Sequence, residues 1–248
     1  MNPSFLVPDS EIRTWVGPFW DKAKYLESGR VECEKAIALL GLKPWHHMID
    51  LGCGCGRMTI HLAEFLNNQG SYMGIDNSKP LLDWCIARIQ PNYDNLHFQF
   101  VDVYNGGCNP EGTMSPQQMR IDARDGSIDV VLAHSLFTHM LIDDIESYLA
   151  EVHRVLRPNG RFLATFFLLN AISEDAITAK ASTYDFIHRV GRCSMAWNKE
   201  IPEEAIAHSE NTVVGIYRKL DYRIESIMHG NWVRNSLANH QDMILAAP

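Results

Sequence analysis

Asp50, Asp76 and Asp102 each close a short apolar run, and a carboxylate at such a place is an acceptor for the hydroxyl, amine or ammonium donors of a small ligand. Gly52, Gly54 and Gly56 follow Asp50, alternating with Cys53 and Cys55, and Arg57 comes directly before a helical pattern from Thr59 to Leu66. The implied order is strand, tight turn, helix, in which glycine frees the backbone for positive φ and lets a ligand approach the main chain. A dinucleotide fingerprint would want its third glycine at position 57; with Arg57 there, the spacing is D-x-G-x-G-x-G. His134 and His139 stand after another apolar run, and an imidazole titrating near neutrality is suited to taking a proton from a substrate hydroxyl. Glu210 opens a later helix and is a third candidate for the pocket, although a helix N-terminus also welcomes a carboxylate for itself. Two metal readings are set aside. Cys53 and Cys55 lie near His46 and His47 but have no second cysteine pair at ligand spacing, and Asp143-Asp144 falls where a helix should begin, so no metal is expected.

For these groups to act together, the chain between them must deliver them to one edge of a sheet. Apolar runs alternate with helical patterns. Strands are expected at 47–51, 71–75, 96–101, 128–133 and 161–167, with helices at 57–68, 79–89 and 143–156. That alternation implies a parallel sheet covered on both faces, whose ligands sit at the carboxyl ends of the strands. A helix at 211–220 and strands at 222–228 and 243–246 should close the sheet. Two stretches break the rhythm. Residues 104–125 leave the ligand-side end of the third strand and are too long for a plain connection. Residues 171–209 gather Tyr184, Phe186, His188, Arg189, Arg192 and Trp197. Before the first strand, short helices at 10–15 and 27–40 accompany Trp15, Phe19, Trp20 and Tyr25, a group suited equally to packing and to covering a ligand.

The run Asp50-Leu51-Gly52-Cys53-Gly54-Cys55-Gly56 resembles motif I of class I S-adenosylmethionine-dependent methyltransferases, and three later stretches agree in order. Gly74-Ile75-Asp76-Asn77-Ser78 ends the second strand as that family does, Phe100-Val101-Asp102-Val103 the third, and Arg154-Val155-Leu156-Arg157-Pro158-Asn159-Gly160 is similar to its turn into strand five. The resemblance spans about Met48 to Asn170. It implies a Rossmann-like seven-stranded α/β sheet of order 3-2-1-4-5-7-6, last strand antiparallel, with a helical N-terminal cap. It also implies S-adenosyl-L-methionine as cofactor and S-adenosyl-L-homocysteine as product. On this footing Asp50 meets the ammonium, Asp76 the ribose hydroxyls and Asp102 the adenine amine; Gly52, Cys53, Gly54, Gly56, Arg57, Asn77, Val103 and His134 complete the cofactor set. His134, His139 and Glu210 are the catalytic candidates. The Asp-Pro-Pro-Tyr type of signature, found in relatives that methylate amino groups of DNA or protein, is absent after strand four, where Ala133-His134-Ser135-Leu136 stands.

At 248 residues the chain suits a single methyltransferase domain, divided as cap (1–44), cofactor-binding core (45–170), substrate insertion (171–209) and closing elements (210–248). A net charge of −8 and a pI near 5.7 argue against a nucleic-acid partner. The longest apolar stretch, 162–169, is too short to cross a membrane, and Met1-Asn2-Pro3-Ser4-Phe5 shows no secretory leader. With six scattered cysteines, these features lead us to expect a cytoplasmic protein. The expected reaction is methyl transfer to a small molecule, most simply at a hydroxyl. The alternatives are a nicotinamide-dependent oxidoreductase on a similar sheet and a non-catalytic S-adenosylmethionine-binding protein.

Overall fold

The computed structural model describes residues 6–233 and 240–248; the run 1–5, on which the leader expectation falls, lies outside the described residues. The chain opens with α1 (Ser10–Arg13) and α2 (Lys22–Leu40), then β1 (His47–Leu51), α3 (Thr59–Phe65), β2 (Ser71–Asp76), α4 (Lys79–Trp84) and β3 (Leu96–Phe100). After the first long connection come β4 (Ile128–Ala133), α5 (Ile142–Val155), β5 (Leu156–Phe166) and β6 (Leu168–Leu169). The second insertion supplies α6 (Ala171–Thr178), β7 (His188–Val190), β8 (Ser194–Ala196) and β9 (Ile206–Ser209). The chain closes with α7 (Glu210–Lys219), β10 (Arg223–Met228) and β11 (Asp242–Ala247). Among the described residues no helix is long and apolar enough to cross a membrane.

The main sheet runs β3-β2-β1-β4-β5-β11-β10. Counting its own strands in chain order gives 3-2-1-4-5-7-6, and β11 is antiparallel to both neighbours, as the sequence led us to expect. Alternate side chains of the central strands enter two cores. Ile49, Leu51, Val131 and Phe162 join the layer that includes Ile145, Leu149 and Tyr217 of α5 and α7, whereas Met48, Val130 and Leu132 pack with Cys33, Ala36 and Leu62 of α2 and α3. Burial on both faces fixes the register, in which Asp50 pairs with Gly74 on one side and Leu132 on the other. The carboxyl ends of β1, β2 and β4 therefore finish together.

Several boundaries differ from expectation; α2, expected from residue 27, already starts at Lys22 behind Asp21, whose side chain caps it. Helix α3 starts at Thr59 because residues through Met58 belong to the glycine turn. Helix α4 gives way to a π-helical turn at Cys85–Ile89, which brings Cys85 Sγ to 3.5 Å from the Gly54 carbonyl; such widened turns often accompany functional sites. Strand β5 begins at Leu156, since Leu156 already pairs with Ile128 before a register shift leads into Arg161. The 171–209 insertion also has more structure than its sequence announces. Its strands β7, β8 and β9 add to β6 as a second sheet, over a small core of Phe167, Phe186, Ala205, Ala207 and Trp232. Strands of three residues containing His188 and Arg189 are too short and too polar to carry a period-two signal.

Candidate functional site

A cavity of about 830 Å³ opens at the carboxyl ends of β1, β2 and β4. Its floor is formed by Gly52 and Gly54 of the glycine turn, at φ +76° and +57°; Gly56, at φ +79°, completes the turn but packs against Ile89 and Cys85 without lining the cavity. Gly54 is closely covered: a Cβ there would stand 2.7 Å from Val16 Cγ1. Val16 belongs to a segment, Trp15 to Pro18, that walls the cavity from the N-terminal side. The buried guanidinium of Arg13 holds that segment by donating to the carbonyls of Pro8, Phe19 and Trp20. The early aromatic residues thus divide their work. Trp15 lines the cavity, while Tyr25 is fully buried and meets the Cys55 carbonyl and thiol at 3.3 Å.

Asp50 is almost entirely buried, and its Oδ2 accepts from Tyr72 Oη at 2.9 Å. Burial pushes its carboxyl up to about 7 despite that hydrogen bond, with Asp76 adding to the rise. A carboxylate in this state gains from a cationic donor. Asp76 accepts from the Gly54 N–H at 2.7 Å and the Ser78 N–H at 2.8 Å; burial pushes its carboxyl up and these backbone donors pull it down. Each oxygen keeps a second lone pair for a ligand. Asn77 donates to the Val103 carbonyl at 3.2 Å, joining the ends of β2 and β3, and both residues line the cavity. Ser78 Oγ, also on the lining, is buried and without a partner among the described residues. Arg57 faces the cavity, donates to Ser28 Oγ at 2.8 Å and lies over the Phe19 ring; burial lowers its pKa. Cys53 is a buried filler of the turn, and among the described residues no group of three or more His, Cys, Asp or Glu side chains is arranged to hold a metal.

Two expectations are corrected. Asp102 does not line the cavity. Its carboxylate accepts from Thr113 Oγ1 at 2.6 Å, Thr113 N–H at 3.3 Å and Asn109 Nδ2 at 3.3 Å, which turns it outward to anchor the 103–114 loop. These donors lower its pKa. Glu210 also stays outside the cavity. It accepts from Asn170 Nδ2 at 2.7 Å and pairs with His229 Nε2 at 3.0 Å, so it ties the start of α7 to the start of α6. Asn170 itself caps α6.

His134 and His139 both line the cavity. His134 Nε2 lies 3.4 Å from Glu32 Oε2 of α2. His139 Nδ1 meets the Glu203 carbonyl at 2.9 Å; a carbonyl only accepts, so this ring carries its proton on Nδ1 and presents Nε2 as acceptor. Burial holds the His139 pKa down. Between the two histidines, Ser135 takes a left-handed φ of +60°, its N–H donating to Thr165 Oγ1 at 2.6 Å and its hydroxyl accepting from Gln241 Nε2 at 2.8 Å. A non-glycine residue in this region stores strain, a frequent property of functional turns.

Asp143 and Asp144 occupy the first turn of α5, as expected, but Asp144 also faces the cavity. It accepts from Gln117 Nε2, and burial, followed by the charges of Asp143 and Glu203, pushes its carboxyl up to about 6. Glu32, Ser135, Tyr148, Glu203 and Gln241 had no motif to mark them, and Asp144 was marked only as a helix start. The long 104–125 connection did carry a signal through its length, and Tyr104, Asn105, Cys108 and Pro116 do reach the cavity.

A family model described as "Methyltransferase domain" matches residues 42–209. The 2-phytyl-1,4-naphtoquinone methyltransferase of a Nostoc species is 27% identical over 150 residues, which cover 59% of this chain and 58% of that one. The demethylmenaquinone methyltransferase of Lactobacillus johnsonii is 27% identical over 161 residues, covering 62% and 60%. The chain thus spans about three-fifths of the length of these curated relatives. Among solved structures, the magnesium protoporphyrin IX methyltransferase of Synechocystis, crystallised with S-adenosylhomocysteine, shares the fold at a TM-score of 0.58 and 14% identity, covering 90% of this chain and 85% of that one.

Proposed function

The chain belongs to the methyltransferase-domain family, of the class I S-adenosylmethionine-dependent type, and from that premise we propose that it methylates a hydroxyl of a small-molecule acceptor. The observation that carries this is one cavity in which Asp50 and Asp76 at the ends of β1 and β2 face the same space as His134 and His139 after β4. When bound, S-adenosylmethionine supplies an electrophilic methyl group on a cationic sulfur. The residues fit it: a glycine turn with Gly52 and Gly54 on the cavity lining, a buried carboxylate suited to an ammonium, a half-buried one with free lone pairs for a diol, and an orphaned Ser78 hydroxyl.

We assign Asp50 to the amino group, Asp76 to the ribose hydroxyls, and Gly52, Cys53, Gly54, Arg57, Asn77 and Val103 to the surrounding wall, with Gly56 shaping the turn behind it. The Trp15 to Pro18 segment excludes water from that end. His134 takes the acceptor's proton as general base. The remaining lining suits a small, largely apolar acceptor: Leu136, Met140, Leu141, Tyr148, Phe167 and Tyr184 supply apolar surface, and His139 and Gln241 polar contacts. The quinones named for the two curated relatives accord with the apolar character of that surface. We read residues 1–44 as a cap, 45–170 as the cofactor core, 171–209 as a wall of the acceptor pocket and 210–248 as the closing elements of one domain.

The test is transfer of labelled methyl from S-adenosylmethionine to a panel of simple phenols, including catechol and 1,4-dihydroxynaphthalene, with EDTA present. Label appearing in a methyl ether supports the reading. Label found only on carbon, nitrogen or sulfur of other acceptors would refute O-methylation, and restoration of an EDTA-inactivated sample by Mg²⁺ would refute the metal-free assignment.

A further inference from the structure

We propose that Glu32, in the middle of α2, is a positioning residue for His134, fixing the imidazole with its proton on Nε2 and leaving Nδ1 as the proton acceptor in the cavity. This rests on the assignment of His134 as the base. Glu32 Oε2 lies 3.4 Å from His134 Nε2, and both side chains are 24% exposed. The same carboxylate is gripped from its own helix by Lys35 Nζ at 3.0 and 3.1 Å, so its orientation does not depend on the imidazole. Burial would raise the Glu32 carboxyl, but the hydrogen bond and charge of His134, followed by those of Lys35, hold it at about 2. It therefore stays an anion across the working range. An anion only accepts, so the ring nitrogen beside it must carry the proton, and Nδ1 keeps its lone pair. Among the described residues Nδ1 has no hydrogen-bond partner, and the one polar contact of Nε2 is the 3.4 Å approach to Glu32.

The contrast with His139 gives the arrangement its meaning. Each histidine has one nitrogen fixed, His139 by the neutral Glu203 carbonyl and His134 by a carboxylate. A carbonyl selects a tautomer. A carboxylate does that and also balances the charge that develops when the ring takes a second proton, the division of labour seen in carboxylate–histidine pairs. Only His134 has both. The partner comes from α2, which the core buries through Tyr25, Cys33, Ala36 and Leu40, so the N-terminal cap becomes part of the active site and not merely its cover.

The tautomer can be read without turnover. Long-range ¹H–¹⁵N spectra of histidine-labelled protein at mildly alkaline pH, with His134 assigned by the signals lost in His134→Ala, report which nitrogen bears the proton. The expected wild-type pattern is protonated Nε2 and bare Nδ1. Glu32→Ala should give a mixture of tautomers, whereas Glu32→Gln, whose carbonyl still accepts, should preserve the pattern. A wild-type ring protonated on Nδ1, or a pattern untouched by Glu32→Ala, overturns the proposal. With the fastest phenol of the panel, Glu32→Ala should lower kcat by ~10–100-fold with little change in KM. In a His134→Ala background the same substitution should cost almost nothing, because the two residues act as a unit. Equal losses in both backgrounds would mark Glu32 as merely structural and overturn the proposal. Wild-type turnover in His134→Ala would instead remove the base assignment, and the tautomer spectra would still decide whether Glu32 orients the ring.

Discussion

The wall of the cavity at β1 and β2 is held largely by groups of the neighbouring strand ends themselves, whereas the wall after β4 is held by side chains arriving from the cap, the insertion and the end of the chain. At the first, Asp76 takes the N–H groups of Gly54 and Ser78, and the glycine turn adopts its left-handed angles within a few residues of Asp50. At the second, His134 meets Glu32 of α2, His139 meets Glu203 of the insertion, and Ser135 meets Thr165 and Gln241. A wall built from the sheet's own strand ends suits a ligand common to a whole family. A wall assembled from the cap, the insertion and the last strand can be rebuilt for another acceptor without disturbing the first.

Substitutions on the two sides should therefore fail in different ways. His134→Ala should lower turnover by about 10²–10⁴-fold while leaving S-adenosylhomocysteine affinity nearly intact; His139→Ala should cost less, and steady-state kinetics with the best phenol compare them. Gly54→Val should do the opposite. A branched side chain at φ +57° carries ~1–3 kcal/mol of strain and also meets Val16, so calorimetry should show binding weaker by roughly 100-fold. Acidification gives a smaller, graded effect on the same side. With the Asp50 carboxyl raised to about 7, lower pH protonates it, and an ammonium ligand must then expel that proton. Affinity should fall by up to about tenfold per pH unit below that value and level off above it, the slope being read from titrations across the range. Asp102→Ala should change affinity least, by about 0.5 kcal/mol or less, because its carboxylate serves the loop; a large loss would return Asp102 to the binding wall.

The same division decided what the sequence disclosed. The alternation of strands and helices, the glycine turn and the strand-end acids were legible because each depends on short-range pattern: buried runs, turn glycines and a fixed spacing to the next helix; the sheet order followed only from the family resemblance. Asp102 misled for that reason. Its place at a strand end was right, but Thr113 and Asn109, brought back by the loop, captured its carboxylate. Glu210 likewise stands where a helix begins, yet Asn170 and His229 fix it outside the cavity. Glu32 was invisible. Nothing about a glutamate beside Lys35 on an early helix distinguishes it from a surface ion pair until the fold sets His134 against it.

The most direct measurement is a calorimetric titration of S-adenosylhomocysteine into the wild-type chain and Asp76→Ala, with NAD as the competing ligand. The expected result is micromolar binding to wild type, no heat from NAD, and a loss of ~1–3 kcal/mol in the variant, the share of a charge-assisted diol contact. Absence of binding to the wild-type chain, or equal affinity in a folded Asp76→Ala, would contradict the assignment of this cavity to the methyl donor.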